Sequence, residues 1–332
     1  MRSTLWTLAG TLAGSVIAVM PVAGHAQTTE PYPVRPIRIL VPYQPGGATD
    51  ITARLLAAKL PDAIGQQVIV ENRPGAGGSI AVDALAASSA DGYTLLVGNV
   101  STNAINESTY AGLMRSKPSR DLVGVSNLTE IPHIVAVSGQ FSAKTIKEAI
   151  EIAKSQPGKL NYSSVGGGTY PHLDMIKFAK AAGIEMTHIP YKGGAGQILP
   201  ALITNEVQIT FINLSSALPH VRAGKIRAIA TTTDARLPEL PDIATMTEQG
   251  FAGHGTNAWQ GLFAPAGTPK PVLDKLHTAV AKAMMSPDLK DTMAKQMLTL
   301  VISPSHEAFT DFMRVETQKW AEFVAQNPVK VD

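Results

Sequence analysis

The sequence predicts a two-domain α/β protein. From Pro36 onward, short runs rich in β-branched residues alternate with amphipathic segments, which is typical of βαβ units on a mostly parallel sheet. The alternation stops near the middle of the chain and then resumes. A length of 332 residues also exceeds that of one ordinary domain. We therefore predict two domains, each a mostly parallel sheet flanked by helices.

In the first half, hydrophobic periodicity separates the strands from the helices. Ile51, Leu55, Leu56 and Leu60 recur at helical spacing, and Asp50 stands before them as a helix-start residue. The predicted strands are 37–41, 67–70 and 94–97, and the predicted helices are 50–64 and 78–87.

The interruption, residues 99–120, is rich in Ser, Asn, Thr, Gly and Pro and predicts a loop that leads to a crossover between domains. Strand-like runs follow at 122–137, broken by Pro132. The predicted helices after this point are 145–155, 170–182, 194–204, 270–285 and 306–324, and the strands are 160–163, 186–189, 207–212 and 258–263. We expect the tail to return to the first domain. The predicted first domain is 27–127 with 252–332, and the second is 128–251.

The first 26 residues predict a signal peptide. An apolar stretch at 5–22 leads to Gly24-His25-Ala26, a small-x-small cleavage pattern. A membrane anchor is the alternative reading, but glycines and a proline interrupt the stretch, and polar residues follow it. We expect cleavage after Ala26 and a protein located in the periplasm.

Composition excludes several classes of protein. Lys and Arg number 28 against 26 acidic residues, and the basic residues are scattered singly, which argues against nucleic acid as a partner. Cysteine is absent, which excludes a disulfide framework, a thiolate metal site and a cysteine nucleophile.

Two glycine-rich junctions carry the strongest functional signal. Residues 42–50 and 163–172 each lead from a strand through glycines into a helix. Such a helix start presents N–H groups without intrahelical partners and the positive end of the helix dipole, which together favour an anion. For one junction alone, a turn that serves only the fold is an equal alternative. Two such starts in two domains, with hydroxyls nearby, predict one anionic ligand held between the domains.

Two further glycine runs are less specific. Residues 73–79 fit neither the GxGxxG nor the GxxxxGK[ST] pattern, so they do not support nucleotide binding and are equally consistent with a structural turn. Residues 191–196 place Lys192 at the start of another predicted helix. Its ammonium group either faces the ligand or is solvated.

Motifs for catalysis are absent. The sequence contains no GxSxG elbow, no HExxH motif and no pair of histidines at metal-ligand spacing on one helix. We predict no catalytic residue, no metal and no cofactor. His172, in the first turn of the second junction's helix, either orients the loop or reaches the ligand, and the structural role is favoured. The candidate ligand-binding residues are Tyr43, Gly46, Gly47, Ala48, Thr49, Asp50, Asn99, Ser101, Ser164, Gly168, Thr169, Tyr170, His172, Lys192 and Asn213.

Six segments in family order closely resemble the Bug family, the extracytoplasmic solute receptors of tripartite tricarboxylate transporters. They are Pro-Gly-Gly-Ala-Thr-Asp at 45–50, Val-Glu-Asn-Arg-Pro-Gly-Ala-Gly-Gly at 70–78, Asp-Gly-Tyr-Thr-Leu-Leu at 91–96, Gln-Pro-Gly-Lys-Leu-Asn-Tyr at 156–162, His-Ile-Pro-Tyr-Lys-Gly at 188–193 and Ala-Pro-Ala-Gly-Thr-Pro at 264–269.

The resemblance implies a two-domain periplasmic-binding-protein fold of type II, a Venus flytrap whose first domain is built from both ends of the chain. It implies a small carboxylate as ligand, the membrane permease subunits of the transporter as partners, and no enzyme activity. By position, it assigns the carboxylate grip to backbone N–H groups of Gly46, Gly47 and Ala48 on one side and of Gly168 and Thr169 on the other. We expect a monomer.

Three departures from the family pattern stand at or near these loops. Tyr43 replaces the usual Phe, the second loop reads Gly-Gly-Gly-Thr-Tyr-Pro where Gly-x-Gly-Ser is commoner, and 105–123 lacks the usual asparagine-proline and proline-tyrosine-aspartate pattern. Tyr43 and Tyr170 make an aromatic acid such as a phthalate an alternative to a dicarboxylate or tricarboxylate. A ligand-sensing partner of a membrane sensor kinase, and an enzyme on the same fold, are alternative functions.

Overall fold

Two mixed β-sheets, each flanked by helices, make up the protein. The computed structural model describes residues 32–238, 240–256 and 258–331. The predicted signal peptide, residues 1–26, lies outside the described residues. Within the described ranges, no helix is both long enough and apolar enough to cross a membrane.

The elements are as follows. The strands are β1 (Ile37–Val41), β2 (Val68–Asn72), β3 (Thr94–Asn99), β4 (Leu122–Ile131), β5 (His133–Ser138), β6 (Asn161–Ser164), β7 (Thr187–Pro190), β8 (Ile209–Asn213), β9 (Ile226–Thr231), β10 (Ala258–Pro265) and β11 (Thr299–Leu300). The α-helices are α1 (Ala48–Ile64), α2 (Ser79–Ala86), α3 (Asn106–Thr109), α4 (Pro118–Asp121), α5 (Ile146–Ser155), α6 (Tyr170–Ala182), α7 (Ala195–Ile203), α8 (Leu214–Arg222), α9 (Lys270–Met284), α10 (Pro287–Lys295) and α11 (His306–Gln326). A 3₁₀ turn, Ala76–Gly78, precedes α2, and a π-helical segment, Ser101–Ile105, precedes α3.

The first sheet has the strand order β11-β4-β10-β3-β1-β2. Strand β1 pairs in parallel with β2 and β3, whereas β10 runs antiparallel to both β3 and β4. Helices α1, α2, α9 and α11 pack against these strands or against one another. We call this sheet with its helices the first lobe. Its core contains Trp259 and Phe263 of β10 together with Phe309 and Trp320 of α11.

The second sheet has the order β7-β6-β8-β5-β9. Strands β6, β7 and β8 pair in parallel, and β5 runs antiparallel to its neighbours β8 and β9. Helices α5 to α8 lie against this sheet, which we call the second lobe with its helices. The α/β architecture with two sheets is therefore confirmed. Both sheets are mixed, because β5 and β10, the strands next to the crossings, run against the parallel strands of their own sheets.

The chain passes between the lobes twice. The first crossing is Pro132, between the end of β4 and the start of β5. Its carbonyl accepts a hydrogen bond from the N–H of Leu214, so this crossing is tied to the start of α8 (3.0 Å). The second crossing joins β9 to β10. The exact domain boundaries given above stay a prediction.

The loop predicted for residues 99–120 is wrong for part of this segment. Ser101–Ile105 and α3 are helical, and the side chains from Ser101 to Asn106 are buried. Several of their polar groups are hydrogen-bonded inside the lobe: Thr102 Oγ1 donates to Asn103 Oδ1 (2.6 Å), and Asn106 Nδ2 donates to the carbonyl of Gly77 (3.1 Å). Hydrogen-bonded Ser, Thr and Asn therefore line a buried helix here, where the composition alone indicated a solvated loop.

Two glycines in the first sheet make room for an aromatic side chain. A Cβ on Gly261 would lie 2.1 Å from Phe309 Cζ, and one on Gly124 would lie 2.6 Å from Phe309 Cδ1. Phe309 in turn packs on Phe263, with ring centroids 5.2 Å apart. The missing side chains let α11 approach the sheet closely enough to bury this ring.

We predict that Gly261→Ala lowers the free energy of unfolding by about 1–3 kcal/mol, because the added methyl group overpacks the Phe309 ring. Urea denaturation measures this change. Gly112→Ala is the matched control, because a Cβ there meets nothing within 4 Å. We expect the control to stay within about 0.5 kcal/mol of wild type. Equal effects of the two substitutions would contradict this account of the packing.

Candidate functional site

A small cavity lies between the lobes, where four helices begin. Its volume is about 30 Å³. The lining residues are Tyr43, Gly47, Ala48, Thr49, Asn99, Val165, Tyr170, Pro171, Gly194, Ala195, Ile198, Phe211, Ile212 and Asn213. Helices α1, α6 and α7 start at this lining, and Asn213 stands directly before α8. None of these four helix starts has a side-chain cap.

Seven candidate residues line the cavity and eight do not. The seven are Tyr43, Gly47, Ala48, Thr49, Asn99, Tyr170 and Asn213. The structure places the other eight, Gly46, Asp50, Ser101, Ser164, Gly168, Thr169, His172 and Lys192, outside this lining. Contact of either group with a ligand stays a prediction.

The first glycine loop is held by a buried carboxylate. Asp50 accepts hydrogen bonds from the N–H of Gly46 (3.0 Å), from Arg54 Nε (3.0 Å) and from Asn72 Nδ2 (2.9 Å). Burial alone raises the pKa of Asp50, but the bonds from Arg54, Gly46 and Asn72 outweigh it and hold the pKa below its usual range. Asp50 therefore shapes the loop, and its negative charge is already balanced by Arg54.

The second glycine loop is held by a histidine. The N–H of Gly168 donates to His172 Nδ1 (2.9 Å), and Thr169 Oγ1 donates to the carbonyl of Gly166 (2.7 Å). The N–H group of Gly168 that the resemblance assigns to the carboxylate is thus engaged within the loop. His172 stacks on His188 with ring centroids 4.0 Å apart, and His188 Nε2 lies 2.7 Å from Ser164 Oγ. This arrangement supports the structural reading of His172.

The same packing keeps His172 neutral. Burial, and to a smaller extent the neighbouring His188, lower the pKa of His172 to about 3. A neutral ring is required here, because Nδ1 must accept the hydrogen bond from Gly168.

Tyr43 and Asn99 form a buried polar wall in the first lobe. The Tyr43 hydroxyl lies within 3.4 Å of the Asn99 amide, whose Nδ2 lies 3.5 Å from Thr49 Oγ1. Gln260 Nε2 also donates to Thr49 Oγ1 (3.2 Å). Burial raises the pKa of Tyr43 far above its usual range, so the hydroxyl stays neutral.

Tyr170 and Asn213 form the facing polar wall. The Tyr170 hydroxyl donates to Asn213 Oδ1 (3.0 Å) and lies within hydrogen-bond distance of His133 Nε2. Burial raises the pKa of Tyr170 well above its usual range and lowers that of His133 to about 3, so both groups are neutral. The N–H of Tyr170, the first of α6, donates to Ser101 Oγ of the first lobe (3.0 Å).

The cavity also has an apolar side that the sequence analysis missed. Val165, Ile198, Phe211 and Ile212 line it, together with Ala195 at the start of α7. The glycine run at 191–196 indicated that helix start, with Lys192 either facing the ligand or solvated, and Lys192 is exposed. The apolar residues lie at a strand end or inside a helix turn, and a single sequence does not indicate that such residues line a cavity.

One group of side chains has the geometry of a metal site. Ligand atoms of Asp274, His306 and Glu307 lie within 4.8 Å of one another. Lys270 Nζ lies 2.9 Å from Asp274 and 2.6 Å from Glu307, so an ammonium group already pairs with both carboxylates. The donors are therefore explained by an ion-pair cluster remote from the cavity.

Residues 52–328 match the family model described as the tripartite tricarboxylate transporter family receptor. The chain belongs to this family. BugT of Bordetella pertussis is 33% identical over 321 residues, which are 96% of this chain and 97% of BugT.

Solved structures agree with this assignment. MatC from Rhodopseudomonas palustris, with bound malate, is 30% identical with a TM-score of 0.83, over 88% of this receptor and 100% of MatC. A second R. palustris protein, with adipate, is 30% identical with a TM-score of 0.85, over 90% and 99%. The periplasmic binding protein BugD is 30% identical with a TM-score of 0.81, over 89% and 98%. The receptor is therefore a solute-binding protein of the Bug type.

We predict that His172→Asn flattens the dependence of stability on acid. A histidine whose pKa falls on folding favours the folded state above its unfolded pKa of about 6.5, and this contribution is lost as the pH falls towards about 3. Asn supplies an acceptor oxygen near the position of Nδ1 but does not titrate there. Denaturation at a series of pH values should give a slope lower by up to about 1.4 kcal/mol per pH unit between pH 6 and 4.

The control is His220→Asn, the same substitution at a partly exposed position of α8. Comparing each variant with wild type at every pH removes the contribution of the carboxyl groups that titrate in the same range. A His172→Asn slope equal to the wild-type slope would show that the ring does not stay neutral in the folded loop.

Proposed function

We propose that this receptor captures a small linear dicarboxylate in the cavity between its lobes and delivers it to the permease subunits of a tripartite tricarboxylate transporter. The observation that carries the proposal is the meeting of four uncapped helix starts at one cavity. Their first-turn N–H groups have no intrahelical partners, and their dipoles favour negative charge.

Neutral donors are the only polar groups that the lining offers to an anion. The lining residues include no Lys, Arg or His. The hydroxyls of Tyr43 and Tyr170 are protonated, and the amides of Asn99 and Asn213 stand beside them. Recognition of a carboxylate by such groups depends on hydrogen-bond geometry more than on net charge. Long-range attraction by a cation in the cavity does not contribute.

The apolar side of the cavity fits the carbon chain of the ligand. Phe211, Ile198 and Val165 remove a hydrocarbon segment from water, which contributes about 0.8 kcal/mol for each buried CH₂ group. The related receptors that hold adipate and malate bind linear dicarboxylic acids.

The proposed receptor also has a location, a membrane partner and a ligand that it leaves unchanged. We place the receptor in the periplasm, as a monomer, because its relatives include periplasmic binding proteins and its first 26 residues have the pattern of a signal peptide. It releases its ligand chemically unchanged. A membrane sensor kinase is the alternative partner, and co-purification with membrane proteins distinguishes it from the permease.

We predict that adipate or malate stabilises the receptor in a thermal-shift screen that also contains citrate and phthalate. A ligand at 100 times its Kd raises the free energy of unfolding by about 2.7 kcal/mol. Isothermal titration then gives the affinity, and NMR of the recovered ligand shows whether it is unchanged. A response to phthalate alone would replace the linear acid by an aromatic one, and turnover of any acid would refute the receptor function.

We predict that Ala195→Leu abolishes or weakens binding by more than about tenfold, because the larger side chain fills the cavity beside Gly47. A Cβ on Gly47 would lie only 3.9 Å from Ala195 Cβ. Isothermal titration with the acid found in the screen measures the loss, which corresponds to at least about 1.4 kcal/mol. Ala58→Leu is the matched control, on an exposed position of α1. Unchanged affinity in Ala195→Leu would place the ligand elsewhere.

A further inference from the structure

The glycine run at 73–79 lies outside the cavity lining and yet is built for a close contact. Gly77 sits in the 3₁₀ turn with φ = 60°, in the left-handed region. A Cβ there would lie 2.8 Å from the hydroxyl oxygen of Tyr110. Glycine at position 77 therefore serves two purposes, since it permits the backbone conformation and leaves space for the tyrosine.

Tyr110 reaches from the first lobe to the second. Its side chain is 2% exposed, and its hydroxyl donates to the carbonyl of Gly167 (2.7 Å). A Cβ on Gly166 would lie 3.3 Å from the same hydroxyl oxygen and 3.4 Å from the Cα of Gly77. The glycine runs of the two lobes thus meet at Tyr110. We call Gly77, Tyr110, Gly166 and Gly167 the tyrosine clasp.

The first lobe holds the clasp in place. The N–H of Tyr110 donates to the carbonyl of Asn106 (2.8 Å). Asn106 Nδ2 in turn donates to the carbonyl of Gly77 (3.1 Å) and lies 3.2 Å from Ser79 Oγ. The ring is therefore fixed relative to the glycine run before it meets the second lobe. Residue 110 belongs to the segment 105–123, which departs from the family pattern.

Two further hydrogen bonds between described residues also join the lobes near the cavity. The N–H of Gln44 donates to the carbonyl of Gly193 (3.0 Å), and the N–H of Tyr170 donates to Ser101 Oγ (3.0 Å). Among these three, the clasp alone uses an aromatic side chain that crosses to the other lobe. The substitution Tyr110→Phe therefore removes this hydrogen bond without changing the backbone of either lobe.

We propose that Tyr110 stabilises the closed arrangement of the two lobes and slows release of the ligand. The inference rests on the proposed function, in which the ligand lies between the lobes. When the lobes separate, the Gly167 carbonyl exchanges its bond to Tyr110 for a bond to water. The net contribution of one such bond corresponds to about a two- to tenfold change in the closed-to-open equilibrium.

The test compares Tyr110→Phe with Tyr191→Phe. Both substitutions remove one hydroxyl, and Tyr191 donates to Glu206 Oε1 within the second lobe (2.8 Å). Because the natural chain has no cysteine, Lys154→Cys and Lys282→Cys allow spin labels at exposed positions of α5 and α9 without competing thiols. Electron paramagnetic resonance distances then report lobe closure, and stopped-flow experiments with adipate report its release.

We expect Tyr110→Phe to increase the open population of the ligand-free protein and to speed adipate release by about two- to tenfold. Tyr191→Phe should match wild type in both measurements. Distances and release rates in Tyr110→Phe that equal those of wild type would overturn the clasp. Failure of adipate to bind the wild-type protein would count against the proposed function, while the ligand-free distances would still decide whether the clasp acts.

Discussion

Contact between glycine loops of the two lobes is the constraint on which the rest of the site depends. A helix start can offer its N–H groups to a ligand only if no side chain covers it, and two lobes can share such a ligand only if their backbones approach closely. Gly47 and Gly194 meet the first condition, since each precedes a helix without a side-chain cap. Gly77 and Gly166 meet the second, because a Cβ on either would lie close to Tyr110.

The two sides of the cavity are not equivalent. In the first lobe, Asp50 orders the glycine loop from behind, and the start of α1 lines the cavity. In the second lobe, the N–H groups of Gly168 and Tyr170 are already bonded, to His172 and Ser101. The N–H of Leu214 at the start of α8 is likewise bonded, to Pro132, so in the second lobe the start of α7 and the Tyr170 hydroxyl are the donors that the proposed function relies on most.

Local backbone chemistry made the glycine junctions and the helices that follow them predictable from the sequence. Strand-glycine-helix junctions depend on backbone rules, so α1 and α6 and their starts beside the cavity followed from residues 42–50 and 163–172. Helix α6 begins and ends where predicted, because Pro171 favours its first turn and Gly183 its left-handed end (φ = 63°). The buried helix at Ser101–Ile105 was not predictable, since Ser101 Oγ accepts a hydrogen bond from the N–H of Tyr170, which lies far away along the chain.

The apolar side of the cavity and the tyrosine clasp were not predicted, for the same reason. Phe211 and Tyr110 look like ordinary core residues in a sequence, and only the tertiary arrangement places one beside the cavity and the other between the lobes. In the proposed function, such side chains contact the body of the ligand and decide which acid fits.

A polar contact connects helix α6 to the crossing between β9 and β10. Asp174 of α6 accepts hydrogen bonds from the N–H and the hydroxyl of Thr256 (both 2.9 Å), just before β10 begins. Burial raises the pKa of Asp174 to about 7, although the bonds from Thr256 and the charge of Lys177 oppose it. A carboxyl whose pKa rises on folding favours the folded state at low pH and loses that contribution as the pH rises from about 4 to 7. His172, on the same helix, acts in the opposite direction over much of this range. Helix α6 thus carries two titrating groups with opposing effects on stability, His172 at the second glycine loop and Asp174 beside the crossing. Their opposition limits the net dependence of stability on pH.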